Sequence, residues 1–158
     1  MNDPLETARL FLRSSTPAQA FAKIERYRAD ISPAWIEKVQ AATGPDPWVL
    51  GFEVLDRKTM AVVGTAGFKG AAGPDGIVEI AYGINPECQN QGYATEVAAA
   101  LTAFAFADPR VRLVCAHTLP AEGPSPRVLD KCGFARVGDV IDPEDGPVWR
   151  FEKTRAMA

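Results

Sequence analysis

Between Ile77 and Ala107 the apolar period of the chain changes once, and that change constrains the fold more than any other feature. Across Ile77–Asn85 the residues alternate as in a strand. From Gly92 to Ala107, Ala94, Val97, Ala98, Leu101, Phe104 and Ala105 fall on one helical face. The junction Gln89-Asn90-Gln91-Gly92-Tyr93-Ala94 therefore delivers a strand onto a helix N-terminus. The first-turn amides of a helix have no intrahelical partner, and the macrodipole lends them positive charge, so such a junction is a ready anion cradle. Gly92 lets a diphosphate approach the main chain, and Ala94 keeps the next turn narrow. An ordinary strand-turn-helix junction has the same outline, so its context decides.

The remaining elements follow from the same kind of reading. Thr7–Arg13 alternates as a first strand. Thr16-Pro17 is an N-cap followed by the first helical residue of a helix reaching about Ala29. Ser32-Pro33 repeats the device for a shorter helix through about Ala42, and Gly44–Pro47 breaks it. Trp48–Leu55 and Ala61–Lys69 read as strands around the polar turn Asp56–Thr59, and Gly70–Gly76 as a second turn. Asp108-Pro109 ends the long helix. Val111–Leu119 is a nearly continuous apolar run, which suits a strand buried on both faces. Pro126–Cys132 reads as a short helix stopped by Gly133, and Phe134–Val140 and Val148–Lys153 flank the turn Asp142–Pro147. The order β-α-α-β-β-β-α-β-α-β-β predicts an α/β (α+β mixed) plan with a mixed sheet.

Composition excludes several functions. With 158 residues, 47% apolar and 23% charged, the chain suits one globular domain. Seventeen basic against twenty acidic residues give a net charge of −3, without the basic excess of a nucleic-acid binder. The longest nearly apolar stretch, Val97–Ala107, is far short of the roughly 20 residues of a membrane span. Asp3, Glu6 and Arg9 stand where a signal peptide needs an apolar run, so a cytoplasmic location is expected. Three widely spaced cysteines and a single histidine, His117, form neither a disulfide framework nor a metal ligand set, so no metal is expected.

The pattern Gln89-x-x-Gly92-x-Ala94, after a strand ending in Asn85-Pro86-Glu87, resembles the acyl-CoA signature of the GNAT superfamily of N-acetyltransferases. Ser125-Pro126-Arg127-Val128-Leu129-Asp130-Lys131-Cys132-Gly133-Phe134 looks like the second cofactor-side motif of that superfamily, which ends in Lys-x-Gly-Phe. The opening Glu6–Arg13 and the stretch His117–Pro120 are similar to its ribosomal-protein N-terminal (alanine/serine) acetyltransferase branch. The resemblance spans essentially the whole chain. It implies one GNAT-like domain over residues 1–158, with a central, mostly antiparallel mixed sheet of six to seven strands. That sheet would splay at the fourth and fifth strands and carry about four flanking helices. The implied activity is acetyl transfer from acetyl-CoA, as cosubstrate, to a primary amine of a protein N-terminus or a small molecule. The alternative is a non-catalytic acyl-CoA-binding regulatory module. The resemblance also allows a homodimer, since relatives often pair through sheet or helix edges.

Site residues are implied position by position. Backbone groups of Tyr82, Gly83 and Ile84 would bind the pantetheine arm, and the amides of Gln89, Asn90, Gln91, Gly92, Tyr93, Ala94 and Thr95 the pyrophosphate. Gln89 replaces an arginine common in the family, which predicts weaker steering of the cosubstrate without loss of binding. Glu79 stands out on physical grounds as well. Alternation puts it on a face with Ala81 and Gly83, where a carboxylate among apolar neighbours is costly unless paired, and where burial tunes it toward a general base. A structural glutamate bonded to a loop or lysine is the competing reading. Ser125 would contact the cofactor near its sulfur and serve the departing thiolate, or cap the helix that starts at Pro126. The family's tyrosine acid is absent from this helix, where Leu129 stands, and Glu122-Gly123 replaces an asparagine. His117 shares a strand face with Val111, Leu113, Cys115 and Leu119 and reads as a core histidine. A Ser125–His117–Asp130 hydrolase lacks the nucleophile elbow, and Cys88 and Cys132 read as packing residues. The segments 29–46 and 142–147 would shape the acceptor pocket but carry no recognisable code.

Overall fold

The computed structural model describes residues 5–27, 33–44, 46–143 and 146–155. Eight strands form one sheet: β1 (Leu5–Glu6), β2 (Leu10–Ser14), β3 (Phe52–Asp56), β4 (Val62–Phe68), β5 (Ile77–Ile84), β6 (Leu113–Thr118), β7 (Ala135–Asp142) and β8 (Gly146–Thr154). Their spatial order is β1-β2-β3-β4-β5-β6-β8-β7, and only the β5–β6 neighbours run parallel. Four α-helices accompany them, α1 (Pro17–Tyr27), α2 (Pro33–Ala41), α3 (Tyr93–Ala107) and α4 (Pro124–Lys131), with a 3-10 turn at Pro86–Cys88.

The eighth strand, β1, lies just ahead of the alternating run Thr7–Arg13, whose own strand starts only at Leu10. The Thr7 amide donates to Leu10 O at 2.9 Å and the Leu10 amide to Thr7 Oγ1 at 3.0 Å, which folds Leu5–Glu6 back onto Leu12 and Phe11. A second departure lies at Trp48. Asp46 accepts from the amides of Trp48, Val49 and Leu50, so 47–50 is a turn and the strand starts only at Phe52. Trp48 instead packs its ring 4.6 Å from Phe68 and 5.2 Å from Phe104, a core contact that mimics strand alternation in the sequence.

At the first helix the capping residues behave as the sequence predicts. Gln19 N donates to Thr16 Oγ1 at 3.1 Å and Thr16 N to Gln19 Oε1 at 2.7 Å, a reciprocal box ahead of Pro17. The second expected cap, Ser32, and the expected helix end near Ala29 lie outside the described residues. Helix α3 lays Val97, Ala98, Leu101 and Ala105 on Val78 and Ile80 of β5 and on Leu10, Leu12 and Val54, all buried. Helices α1 and α2 make a separate cluster of Ala20, Ile24, Ile36, Val39 and Leu50. Strand β6 is buried along Leu113–Ala116, as its apolar run requires, while Leu119 emerges beyond its end and is 76% exposed.

The functional consequence lies where β5 and β6 part. Their pairing covers only Ile77–Glu79 against Leu113–Cys115. Beyond that, β5 continues along β4 to Ile84, and Ala116–Thr118 of β6 pair with Phe151–Trp149 of β8. The sheet opens into a wedge at the two strands expected to splay.

Candidate active site

Strand β5 turns alternate main-chain groups toward the wedge. Lys69 N donates to Glu79 O at 3.0 Å and Asn85 N to Val63 O at 2.8 Å, so the odd residues of β5 face β4. By alternation Tyr82 and Ile84 present their amides to the gap left by β6. Gly83 pairs with Thr65 instead, so its own main chain is turned away from the position the pantetheine reading gave it.

The wedge leads into a cavity of about 550 Å³. Tyr82, Gly83, Ile84, Gln89, Asn90, Gly92, Tyr93, Ala94 and Thr95 all line it. Gln91 is the exception among the expected residues, its side chain turned to Cys88 O at 3.3 Å. Gly92 is the N-cap of α3 with φ +84°, a left-handed backbone that disfavours any side chain, and no side chain caps the helix. The first-turn amides therefore point outward as anion donors. Gln89, where a family arginine is missing, donates Nε2 to Ile84 O at 2.9 Å and braces the end of β5. Cations arrive from elsewhere. Arg127 and Lys131, one turn apart on α4, line the same cavity. Arg9 stacks 4.6 Å from the Tyr93 ring centroid, and its Nη2 lies 3.1 Å from where a Cβ on Gly92 would stand. Its Nε is held by Glu96 Oε2 at 2.5 Å. These groups fit a diphosphate carrier.

A second cleft of about 430 Å³ opens beside the cavity and holds Lys69, Glu79, His117 and Ser125. Glu79 Oε2 lies 2.9 Å from His117 Nδ1 and 3.4 Å from Lys69 Nζ. Ser125 lines both this cleft and the cradle. It is not a cap, because α4 begins at Pro124 behind Gly123, two residues earlier than the sequence indicates. Tyr82 borders both spaces, and burial, with the nearby Cys132 thiol, pushes its phenol up to about 12, so it keeps its proton at neutral pH. Burial also pushes the Cys115 thiol up to about 11 and raises Cys132, which argues against thiolate chemistry at either. A third space of about 390 Å³ is lined by Trp35 of α2, Gly51, Thr65, Ala81, Tyr82 and Gly83. Among the described residues no three His, Cys, Asp or Glu side chains gather as a metal site. No helix among them is long and apolar enough to cross a membrane.

The family model for an acetyltransferase (GNAT) domain matches residues 2–135. The chain belongs to the GNAT acetyltransferases. In that family the cosubstrate is acetyl-CoA and the reaction is acyl transfer. The uncharacterized N-acetyltransferase YnaD of Bacillus subtilis is 38% identical over 60 residues. That alignment spans 38% of this chain and only 35% of the length of YnaD. A solved protein of Vibrio cholerae, assigned as a ribosomal-protein-serine acetyltransferase, is similar with a TM-score of 0.70 at 22% identity, over 97% of this chain and 98% of that one. The aminoglycoside acetyltransferase AAC(6')-Ib, solved with paromomycin and acetyl-CoA, is similar with a TM-score of 0.68 at 22% identity, over 94% and 95% of the two chains. At these identities the likeness to the solved proteins is one of fold.

Within this GNAT frame three contributors go beyond the individual site residues expected from the sequence. His117 is tied to Glu79 rather than lost in the core. The cations of the cradle come from α4 and from Arg9, over eighty positions before Gly92. Trp35 belongs to the segment expected to shape an acceptor pocket and does line a groove, whereas Glu144 and Asp145 of the other such segment lie outside the described residues.

Proposed function

We propose that this GNAT acetyltransferase moves the acetyl group of acetyl-CoA directly to a primary α-amine, on a protein N-terminus or a small molecule. The observation that carries the reading is the convergence of three spaces on the parted end of β5, where Tyr82 borders each of them. The cradle takes the phosphates, the cleft offers a carboxylate, and the Trp35 groove supplies an entry for the acceptor. The α-amine preference rests on protonation. At pH 7 an α-amine is roughly 14% neutral and a lysine-type amine roughly 0.04%, so a carboxylate base has far less to overcome with the first.

In this scheme the neutral amine attacks the thioester carbonyl, the C–N bond forms and the C–S bond breaks. Glu79 accepts the proton released from nitrogen, directly or through one water. The amides of Tyr82 and Ile84, turned to the wedge, are the donors nearest the developing oxyanion. Ser125, standing between cleft and cradle, solvates the departing thiolate, which takes its proton from that hydroxyl or from water. Leu129 is 1% exposed, so its position on α4 contributes packing and no acid.

Free-thiol release over an amine panel tests this, using N-terminal Ala and Ser peptides, kanamycin and spermidine. Glu79→Gln is expected to lower kcat by about 100-fold or more, in the range of general-base loss, with KM for acetyl-CoA unchanged. A glutamine variant with wild-type kcat removes Glu79 from the chemistry. Tight acetyl-CoA binding with a silent panel instead favours the regulatory acyl-CoA-binding module.

A further inference from the structure

His117 is the only histidine of the chain, and its place follows from strand register. Glu79 and Cys115 are the last pair of the parallel β5–β6 ladder, so His117, two residues on, shares the face of Glu79 where the strands separate. Directly across the other ladder, His117 pairs with Arg150 of β8. The imidazole therefore bridges two strands, with Nδ1 at 2.9 Å from Glu79 Oε2 and Nε2 at 3.4 Å from Arg150 Nη1. A guanidinium has donors only and keeps its charge, so the nitrogen facing it is an acceptor. The ring proton is then on Nδ1 and is donated to Glu79. Arg150 is itself anchored, its Nε donating to Glu152 Oε2 at 2.7 Å. The charged and titratable groups facing this row are Lys69 just past the end of β4, Glu79 from β5, Cys115 from β6, and Arg150 and Glu152 from β8. Lys69 Nζ approaches the same carboxylate oxygen as the ring. Both neighbours make their closest approach to Oε2, and the Glu79 side chain lines the cleft.

We propose that His117 is the positioning residue of Glu79: set as its Nδ1–H tautomer by Arg150, it fixes Oε2 and presents Oε1 to the acceptor amine. The inference rests on the reading of Glu79 as the base. His117 touches no reacting atom. It fixes which carboxylate oxygen and which rotamer meet the amine, and a misplacement of about 1 Å at such a group costs on the order of 100-fold.

Two measurements test this. In protein labelled with 15N-histidine, the single imidazole is expected to show the neutral Nδ1–H pattern at pH 7. An Nε2–H pattern or a charged ring overturns the proposal, and this readout needs neither a variant nor an acceptor. In kinetics with the best amine of the panel, His117→Asn places an amide N–H where Nδ1 stood, while His117→Gln places its amide where Nε2 stood. The asparagine variant is expected to stay within about 3-fold of wild-type kcat and the glutamine variant to fall by about 10-fold or more, with KM for acetyl-CoA unchanged in both. Equal kcat for the two variants, or the reverse order, overturns the proposal. The two readings fail separately. A Glu79→Gln variant at wild-type kcat removes the base and this inference with it, whereas an impaired Glu79→Gln beside indistinguishable His117 variants removes only the positioning role.

Discussion

Gly92 is asked to do two things that no other residue type does together. Its φ of +84° lies in the left-handed region, where a Cβ crowds the following carbonyl. A Cβ here would also stand 3.1 Å from Arg9 Nη2, so an added side chain pushes on that guanidinium. Gly92→Val should therefore weaken acetyl-CoA binding by at least 10-fold, read by calorimetry, and lower stability by about 1–3 kcal/mol through backbone strain. An unchanged Kd detaches the cradle from this junction. Glu79, Ser125 and Tyr82 belong to the same scale: Ser125 and Tyr82 border both cradle and cleft, and Glu79 lines the cleft alone.

At the scale of elements, the wedge depends on β5 staying with β4 while β6 leaves it. Gly64 makes that close pairing possible, because a Cβ there would overlap Gly83 O and stand 3.1 Å from Ile84 Cα. Gly64→Ala forces the two strands apart at the residues that present the Tyr82 and Ile84 amides. The expected result is a loss of about 1–3 kcal/mol in urea unfolding, as for other overpacked sites, with a raised KM for acetyl-CoA. A variant with unchanged midpoint and KM shows that β5 can yield without disturbing the wedge. Strand β8 is the other half of the device. It pairs with the other edge of β6 from Leu113 to Thr118, and so holds that strand in the sheet beyond the point where it leaves β5.

Across the whole molecule, Glu96 joins the first hairpin to the first turns of α3. Its carboxylate accepts from Thr7 Oγ1 at 2.6 Å, Arg9 N at 3.1 Å and Arg9 Nε at 2.5 Å, contacts spanning 87 to 89 positions. Partial burial pushes this carboxyl up, but the Thr7 and Arg9 hydrogen bonds and the Arg9 charge outweigh it and leave it below its ordinary value of 4.5. Arg110 side-chain and main-chain bonds hold Asp108 down to about 2. Groups that bind protons less readily when folded stabilise the protein above their ordinary values and lose that contribution as pH falls. The urea midpoint should therefore fall as pH drops from about 5 toward 2. Glu96→Gln should be less stable at pH 7 and converge on the wild type over the acid part of that window. A gap that stays constant across the window removes Glu96 from the acid response.

How far all this is legible in the sequence depends on the distance over which each feature is decided. The Thr16–Gln19 capping box, the apolar face of α3 and the Gly92 cradle depend on residues a few positions apart, and the sequence carries them nearly to the residue. Trp48 deceived because an aromatic in a turn and an aromatic in a strand leave the same apolar mark. The start of α4 at Pro124 was obscured by two prolines in a row of three, either of which can open a helix.

By itself, then, the amino-acid order determined that a strand must end in a helix whose first-turn amides are left uncapped, because period and glycine placement act through the local main chain. Only the tertiary structure decided which side chains surround those amides and the Glu79 carboxylate. His117 meets Glu79 across 38 positions and Arg150 across 33, and Arg127 and Lys131 of α4 line the cradle while Arg9, from far earlier in the chain, lies against Tyr93 and Gly92. Such meetings are set by strand register and by the point where two strands part, and these depend on hydrogen bonds that the rest of the sheet provides or withholds.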